Sequence, residues 1–278
     1  MPQTAARKAD QLEDSARGAK DSRAMTRAAR AGLVAYGVVH LLIGWLALQL
    51  AFGHAEGTAD NQGALRALAG TPLGRPLLWL VALGFVALVV WQLAEAALGH
   101  ESADEPGRTG KRAVSAGKAI VYAAIGFSAA KIAAGGSSSG NGSKETLTAK
   151  LMEHPFGTVL VGIAGVAIVG GGLALAYIGA SGRFERQLQA GAGSGHSGTA
   201  IIAMGRAGHL AKGVAFVVLG ALFVAAALSH DPKKSGGLDD ALKTLARQPY
   251  GHVLLSVVGL GIACFGLYCF ARARYVRT

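Results

Sequence analysis

Six stretches of this chain, at residues 31–52, 77–98, 113–134, 156–180, 201–229 and 252–271, are apolar almost throughout. Each is near or above the length that an α-helix needs to cross about 30 Å of hydrocarbon. A water-soluble core would instead space its apolar residues at helical or strand intervals between polar ones. The third stretch is the weakest, because Ser115, Lys118, Ser128 and Lys131 interrupt it. Only 15% of the chain is charged, against about 25% in an ordinary soluble domain. The expected fold class is an all-α membrane protein whose first partner is the lipid bilayer.

The net charge of +11 suggests nucleic acid at first sight, but the basic residues stand at the ends of the apolar blocks. Anionic headgroups and the charge bias of insertion account for them there, and no nucleic-acid partner is expected. Residues 1–29 are polar, of mixed charge and without an apolar run, so they read as a cytoplasmic tail. Connections on the side of that tail carry 16 Lys and Arg residues and those on the other side 8. The bias predicts a multi-pass membrane protein with both termini in the cytoplasm. Cys264 and Cys269 fall in the last block on different helix faces and read as small apolar residues.

One phrase is written three times. RAGLVAYGVVHLLIG starts at Arg30, RAVSAGKAIVYAAIG at Arg112 and RAGHLAKGVAFVVLG at Arg206. Arg30, Arg112 and Arg206 coincide, as do Gly44, Gly126 and Gly220. Behind each phrase comes L-x-x-x-P-x-G, as Leu68, Pro72 and Gly74, then Leu151, Pro155 and Gly157, then Leu245, Pro249 and Gly251. Three copies at matching distances mark an internal repeat. In each unit one span runs outward and a loop follows that carries a short amphipathic helix. Proline ends that helix, and the glycine two residues on is expected to permit a tight turn into the returning span. The expected organisation is a polar tail at 1–29, repeat 1 at 30–99, repeat 2 at 100–183 and repeat 3 at 184–278. Two spans per unit give all units one orientation, and a pseudo-threefold bundle of six spans is the simplest closed arrangement.

These phrases and hairpins, from residue 27 to 274, resemble a bacterial membrane family of unknown function built from three tandem copies of a two-helix domain. The resemblance implies the architecture, a bacterial cytoplasmic (inner) membrane and, with the Ala-, Gly- and Arg-rich usage, a high-GC source of actinobacterial type. It implies no activity, cofactor or catalytic residue.

Within the phrases, residues at i, i+4 and i+8 share one helix face: Tyr36, His40 and Gly44; Lys118, Tyr122 and Gly126; Lys212, Phe216 and Gly220. The plainer reading of this face is a packing seam between repeats, since glycine lets membrane helices approach closely. Lys118 and Lys212 would start about 9 Å inside the membrane, within snorkelling reach of its surface. Intramembrane ionisable groups nevertheless tend to face a bundle interior and find partners. Glu95 is the acidic residue well inside a span, at a depth that suits either lysine, so a Glu95–Lys pair is one candidate polar site. His40 falls near the midplane, and Tyr36 and Tyr122 complete the candidate set. Gln49 and Lys131, toward the outer ends, line a vestibule or snorkel outward.

Enzyme signals are weak. The GHSG at 195–198 has the G-x-S-G form of rhomboid-type serine proteases, but Ser197 precedes the fifth span and His252 lies at the opposite membrane face. The Gly- and Ser-rich run at 135–146 lacks G-K-[ST] and reads as a linker, and the histidines lack metal-ligand spacing. The expectation is a non-enzymatic structural or accessory membrane protein without catalytic residues, cofactor or metal. The alternative is a transporter or channel for a small solute or ion along the pseudo-threefold axis, in outline similar to the three two-helix units of mitochondrial carriers. A protein partner or a homo-oligomer is left open.

Overall fold

A computed structural model of the chain describes residues 23–54, 57–98, 105–136, 148–187 and 195–275. The described residues fold into helices α1 (Arg23–Ala51), α2 (Asn61–Ala69), α3 (Gly74–Leu98), α4 (Glu105–Ala133), α5 (Gly157–Ser181), α6 (Gly195–Ser229), α7 (Leu238–Ala246) and α8 (Gly251–Tyr275). Residues 148–152 are also helical. Six of these helices are long and apolar enough to cross a membrane: α1, α3, α4, α5, α6 and α8. The interrupted third block is among them, with the lowest mean hydropathy of the six, 1.4. Most of the polar tail and the linker at 135–146 lie outside the described residues.

Three helices begin well before the apolar blocks do. α1 starts at Arg23, α4 at Glu105 and α6 at Gly195, so the segment read as tail is already helical from residue 23. Hydropathy marks where a helix enters hydrocarbon, while the backbone ladder continues into the polar headgroup layer. These extensions lie at the end of the bundle where α1 starts and α8 ends, the terminal end. The other end holds the hairpins.

The repeats join in a ring, and glycines make the joints. α8 packs on α1, α3 on α4 and α5 on α6, so the returning span of each unit packs on the outgoing span of the next. On α1 and α8 four glycines interlock. A Cβ on Gly37 would stand 2.9 Å from the Gly266 carbonyl oxygen, and one on Gly44 would stand 2.8 Å from that of Gly259. The α5–α6 joint repeats the device: a Cβ on Gly172 would lie 2.8 Å from the Gly213 oxygen, and one on Gly220 would lie 2.6 Å from that of Gly165. Seven residues separate the glycines of each pair, two helical turns, which keeps them on one face. At the third joint Ala82, Val89 and Ala119 stand at the matching places. Gly126 keeps its place, but a Cβ there would lie 3.7 Å from the Ala82 oxygen. The α3–α4 backbones are held further apart.

Within a unit the packing is unequal. α1 packs on α3 and α6 on α8, whereas α4 and α5, the two spans of the second unit, do not pack on each other. The sequence carries the cause. Gly32 meets Gly84 and Leu88 in the first unit, and Gly208 meets Phe265 while Gly261 meets Ala211 in the third. In the second unit the glycine positions hold Val114 and Ala167. Both are exposed, and α4 and α5 are the least buried spans, at 28% and 17% of their most apolar windows. The pseudo-threefold bundle therefore has a lateral gap between α4 and α5.

The hairpins correct the role expected of their glycines. Thr71–Gly74, His154–Gly157 and Gln248–Gly251 each close a turn, the glycine N–H donating to the carbonyl three residues back. Pro72, Pro155 and Pro249 stand at the second position of these turns, where a fixed φ suits them. The left-handed conformation falls on the next residue, Phe156 (φ 64°) and Tyr250 (φ 58°), and not on the glycine. Gly74, Gly157 and Gly251 are needed for space, since a Cβ would run into the carbonyls of Leu68, Leu151 and Ala246.

Candidate ligand site on the repeat axis

Half-way along α6, Lys212 is only 8% exposed. Its polar neighbours come from α1, in the first unit. Lys212 Nζ donates to Tyr36 Oη at 2.9 Å and lies 3.0 Å from His40 Nε2. His40 Nδ1 lies 2.8 Å from the Tyr36 carbonyl oxygen. A carbonyl only accepts, so Nδ1 carries the proton and Nε2 is the acceptor for the lysine. The Phe265 ring, from α8, stands 3.9 Å from Nζ and presents its electron-rich face to the ammonium. No carboxylate pairs with Lys212 among the described residues.

Aromatic rings close the terminal side of this group. Tyr36 stands 5.4 Å from Tyr122, 6.2 Å from Phe85 and 6.0 Å from Phe265, centre to centre. On the hairpin side lies a cavity of about 280 Å³. Its walls include Tyr36, His40, Val121, Ile125, Ile168 and Lys212, drawn chiefly from the three outgoing spans. Its roof is made by the starts of α2 and α7, at Asp60, Asn61 and Gly236–Leu238. The roof is tied shut: Asp60 Oδ1 accepts from Gly63 N–H and Thr58 Oγ1, and Asp239 Oδ1 accepts from Ala59 N–H at 2.8 Å. Lys243 completes the tie, 2.7 Å from Asp239 Oδ2. Ala59, Asp60 and Asp239 are all nearly fully buried.

The structure brings Tyr36, His40, Tyr122 and Lys212 together and leaves Lys118 and Glu95 elsewhere. Lys118 is exposed. It lies within electrostatic reach of Glu95, Arg272 and Lys212 but does not line the cavity. Lys118 and Lys212 hold the same repeat position, and their surroundings differ because α6 is flanked by α5 and α8 whereas α4 has only α3 beside it in the ring. Lys212 therefore does not snorkel. Lys131 is exposed, and Gln49 lines a separate cleft between α1 and α2. Residues 195–198 form the first turn of α6 and His252 belongs to the first turn of α8. Those helices run antiparallel, Gly208 against Phe265 and Gly261 against Ala211, so the two turns lie at opposite ends of the bundle. Both cysteines are free thiols.

Four contributors were not read from the sequence. Phe265, Asp60 and Asp239 carry no signal by spacing alone. His209 is the fourth, 8% exposed, its Nδ1 2.7 Å from the Gly205 carbonyl oxygen and its ring stacked on Phe184 at 5.0 Å. Beside it Tyr268 is 1% exposed and its hydroxyl has no hydrogen-bond partner among the described residues. The repeat alignment could have flagged Phe265, which stands where the first unit has Leu88.

Comparison with known proteins adds the following. A family described as Domain of Unknown Function (DUF1206) matches the chain three times, at residues 31–99, 113–182 and 207–276. An uncharacterized protein of Bacillus subtilis (strain 168), YxxB, is 29% identical over 250 residues, covering 90% of each chain. No solved structure matches.

Proposed function

The chain belongs to the DUF1206 family, and from that premise we propose that it is a non-enzymatic membrane protein whose axial cavity binds a small molecule bearing a negative charge. One observation carries the reading: a lysine ammonium buried inside a span, held by a phenol, an imidazole and a ring, all uncharged. A charge at that depth is costly, and functional partners are its usual reason. The cavity beside it is close in size to the smaller ligand pockets of proteins. The Lys and Arg bias and the bacterial relative support a cytoplasmic membrane with both termini inside.

Octanoate is a suitable probe, because its chain is short enough for the cavity and its carboxylate complements Lys212. Equilibrium dialysis of the full chain in neutral detergent is expected to give saturable octanoate binding that octanol does not compete for. Lys212→Met is expected to weaken it by at least about tenfold. Binding that is absent, or the same in both proteins, overturns the proposal. Transport of such a ligand is a second reading, favoured by the cavity's reach from mid-span to the roof at the hairpin end. Flux of octanoate in proteoliposomes, compared between wild type and Lys212→Met, separates a carrier from a binding protein.

A further inference from the structure

Three features of the second repeat bear on what the cavity takes and how it is reached. The first is the gap. α4 and α5 are the one pair of spans within a unit that does not pack, at the place where the glycines of the other units become Val114 and Ala167. The second is that the cavity lies behind this gap. Val121 and Ile125 of α4 form one jamb and Ile168 of α5 the other. Val121 is at once a cavity wall and 54% exposed, so this one side chain borders both the cavity and the outer surface of the bundle. Ile120 (71%) and Val166 (64%) extend the same apolar surface to either side. The third is that both ends of the cavity are bridged by packed or bonded groups. Rings pack on the terminal side, and the bonded residues Ala59, Asp60 and Asp239 bridge the hairpin side.

Resting on the proposed binding at Lys212, we infer that the ligand is a long-chain carboxylate that comes from the bilayer through the gap between α4 and α5. Its carboxylate pairs with Lys212, and its acyl chain lies in the gap. The chemistry selects this class. Whatever passes Val121 and Ile168 leaves water for hydrocarbon beforehand, so it is mostly apolar. Whatever rests at Lys212 neutralises an ammonium that has only uncharged partners. Tyr36 and His40 accept two of the ammonium's three donors, and the third meets only the Phe265 ring, a weaker partner than a carboxylate oxygen. A single-chain carboxylate suits the depth of Lys212 better than a phospholipid does. Counted from Arg206, Lys212 lies about 9 Å inside the membrane, below the plane where phospholipid phosphates rest. A fatty acid meets every condition.

The gap itself is tested by Ala167→Trp, which adds bulk beside Ile168 without changing a cavity wall. Leu173→Trp, on the exposed face of α5, is its control. Oleate and octanoate binding are measured on the full chain in phosphatidylcholine nanodiscs. Wild type and Leu173→Trp are expected to bind both. Lys212→Met is expected to weaken both at least about tenfold. Ala167→Trp is expected to weaken oleate by a similar factor and to spare octanoate. If Ala167→Trp spares oleate too while Lys212→Met still removes it, the lateral seat is wrong and the binding proposal stands. If Lys212→Met spares both probes, the binding proposal falls as well. A diazirine-bearing fatty acid gives an independent readout that needs no variant. Photolabel on the α4 and α5 peptides supports the seat, and label confined to other spans overturns it.

Discussion

Lys212 Nζ bonds to Tyr36 Oη at 2.9 Å, and the two residues occupy the same repeat position, 176 residues apart. Duplicated helices facing one axis bring equivalent positions together. A phenol opposite an amine makes a bond there that three identical residues would not make.

The trio should respond asymmetrically to substitution. Lys212→Met removes a buried charge and leaves a phenol and an imidazole that can bond to each other or to water. It should change stability by less than about 1 kcal/mol in either direction. Tyr36→Phe and His40→Leu each take an acceptor from a buried ammonium and should cost about 1–3 kcal/mol. Thermal unfolding of the three variants in one detergent checks this. Equal losses in all three would mean that the amine is a net stabiliser.

Glycine substitutions should divide by joint. Gly213→Val or Gly44→Val drives a side chain into a facing backbone and should cost about 3 kcal/mol or more, the upper range of overpacking. Gly126→Ala, at the looser third joint, should cost less, about 1 kcal/mol, since the new Cβ would stand 3.0 Å from Phe85 Cβ and 3.7 Å from the Ala82 oxygen. Gly170→Ala meets open space and should gain about 0.5–1 kcal/mol of helix propensity. Thermal midpoints rank the three.

At the hairpins the strained residue and the tight residue are different. Tyr250→Gly relieves a left-handed φ and should be neutral or stabilising by about 1 kcal/mol. Gly251→Ala puts a Cβ onto the Ala246 carbonyl and should destabilise by about 2 kcal/mol or more. Leu73 is not left-handed, so Leu73→Gly should show no gain. Tyr250→Gly and Leu73→Gly behaving alike would sink the assignment.

Tyr268 buries a hydroxyl with no bonding partner among the described residues. Tyr268→Phe should therefore raise stability by up to about 1 kcal/mol, because a desolvated and unbonded group is removed. A clear loss would mean that the hydroxyl is satisfied by water inside the protein.

Much of the architecture is legible in the chain of letters because it rests on local or periodic physics. Length and apolarity identify spans, since hydrocarbon tolerates no unbonded backbone. Repetition identifies three units, and proline identifies the hairpins. The candidate site was legible in part. Tyr36, His40, Tyr122 and Lys212 stand out as polar groups on one face, and they do meet. Depth also matched Glu95 to the lysines, and Glu95 lies within electrostatic reach of Lys118, away from the cavity.

The sequence by itself determined the six spans, the threefold repetition and the seven-residue spacing of glycines, because each depends on residues near one another along the chain. Only the tertiary structure decided which joints those glycines make and that α4 and α5 stand apart. It also decided that one lysine of an equivalent pair is buried while the other is exposed. The physical reason is the same in each case. A side chain's surroundings are set by the neighbours packed on its helix, and in the second unit Val114 and Ala167 remove the close approach that would have supplied one.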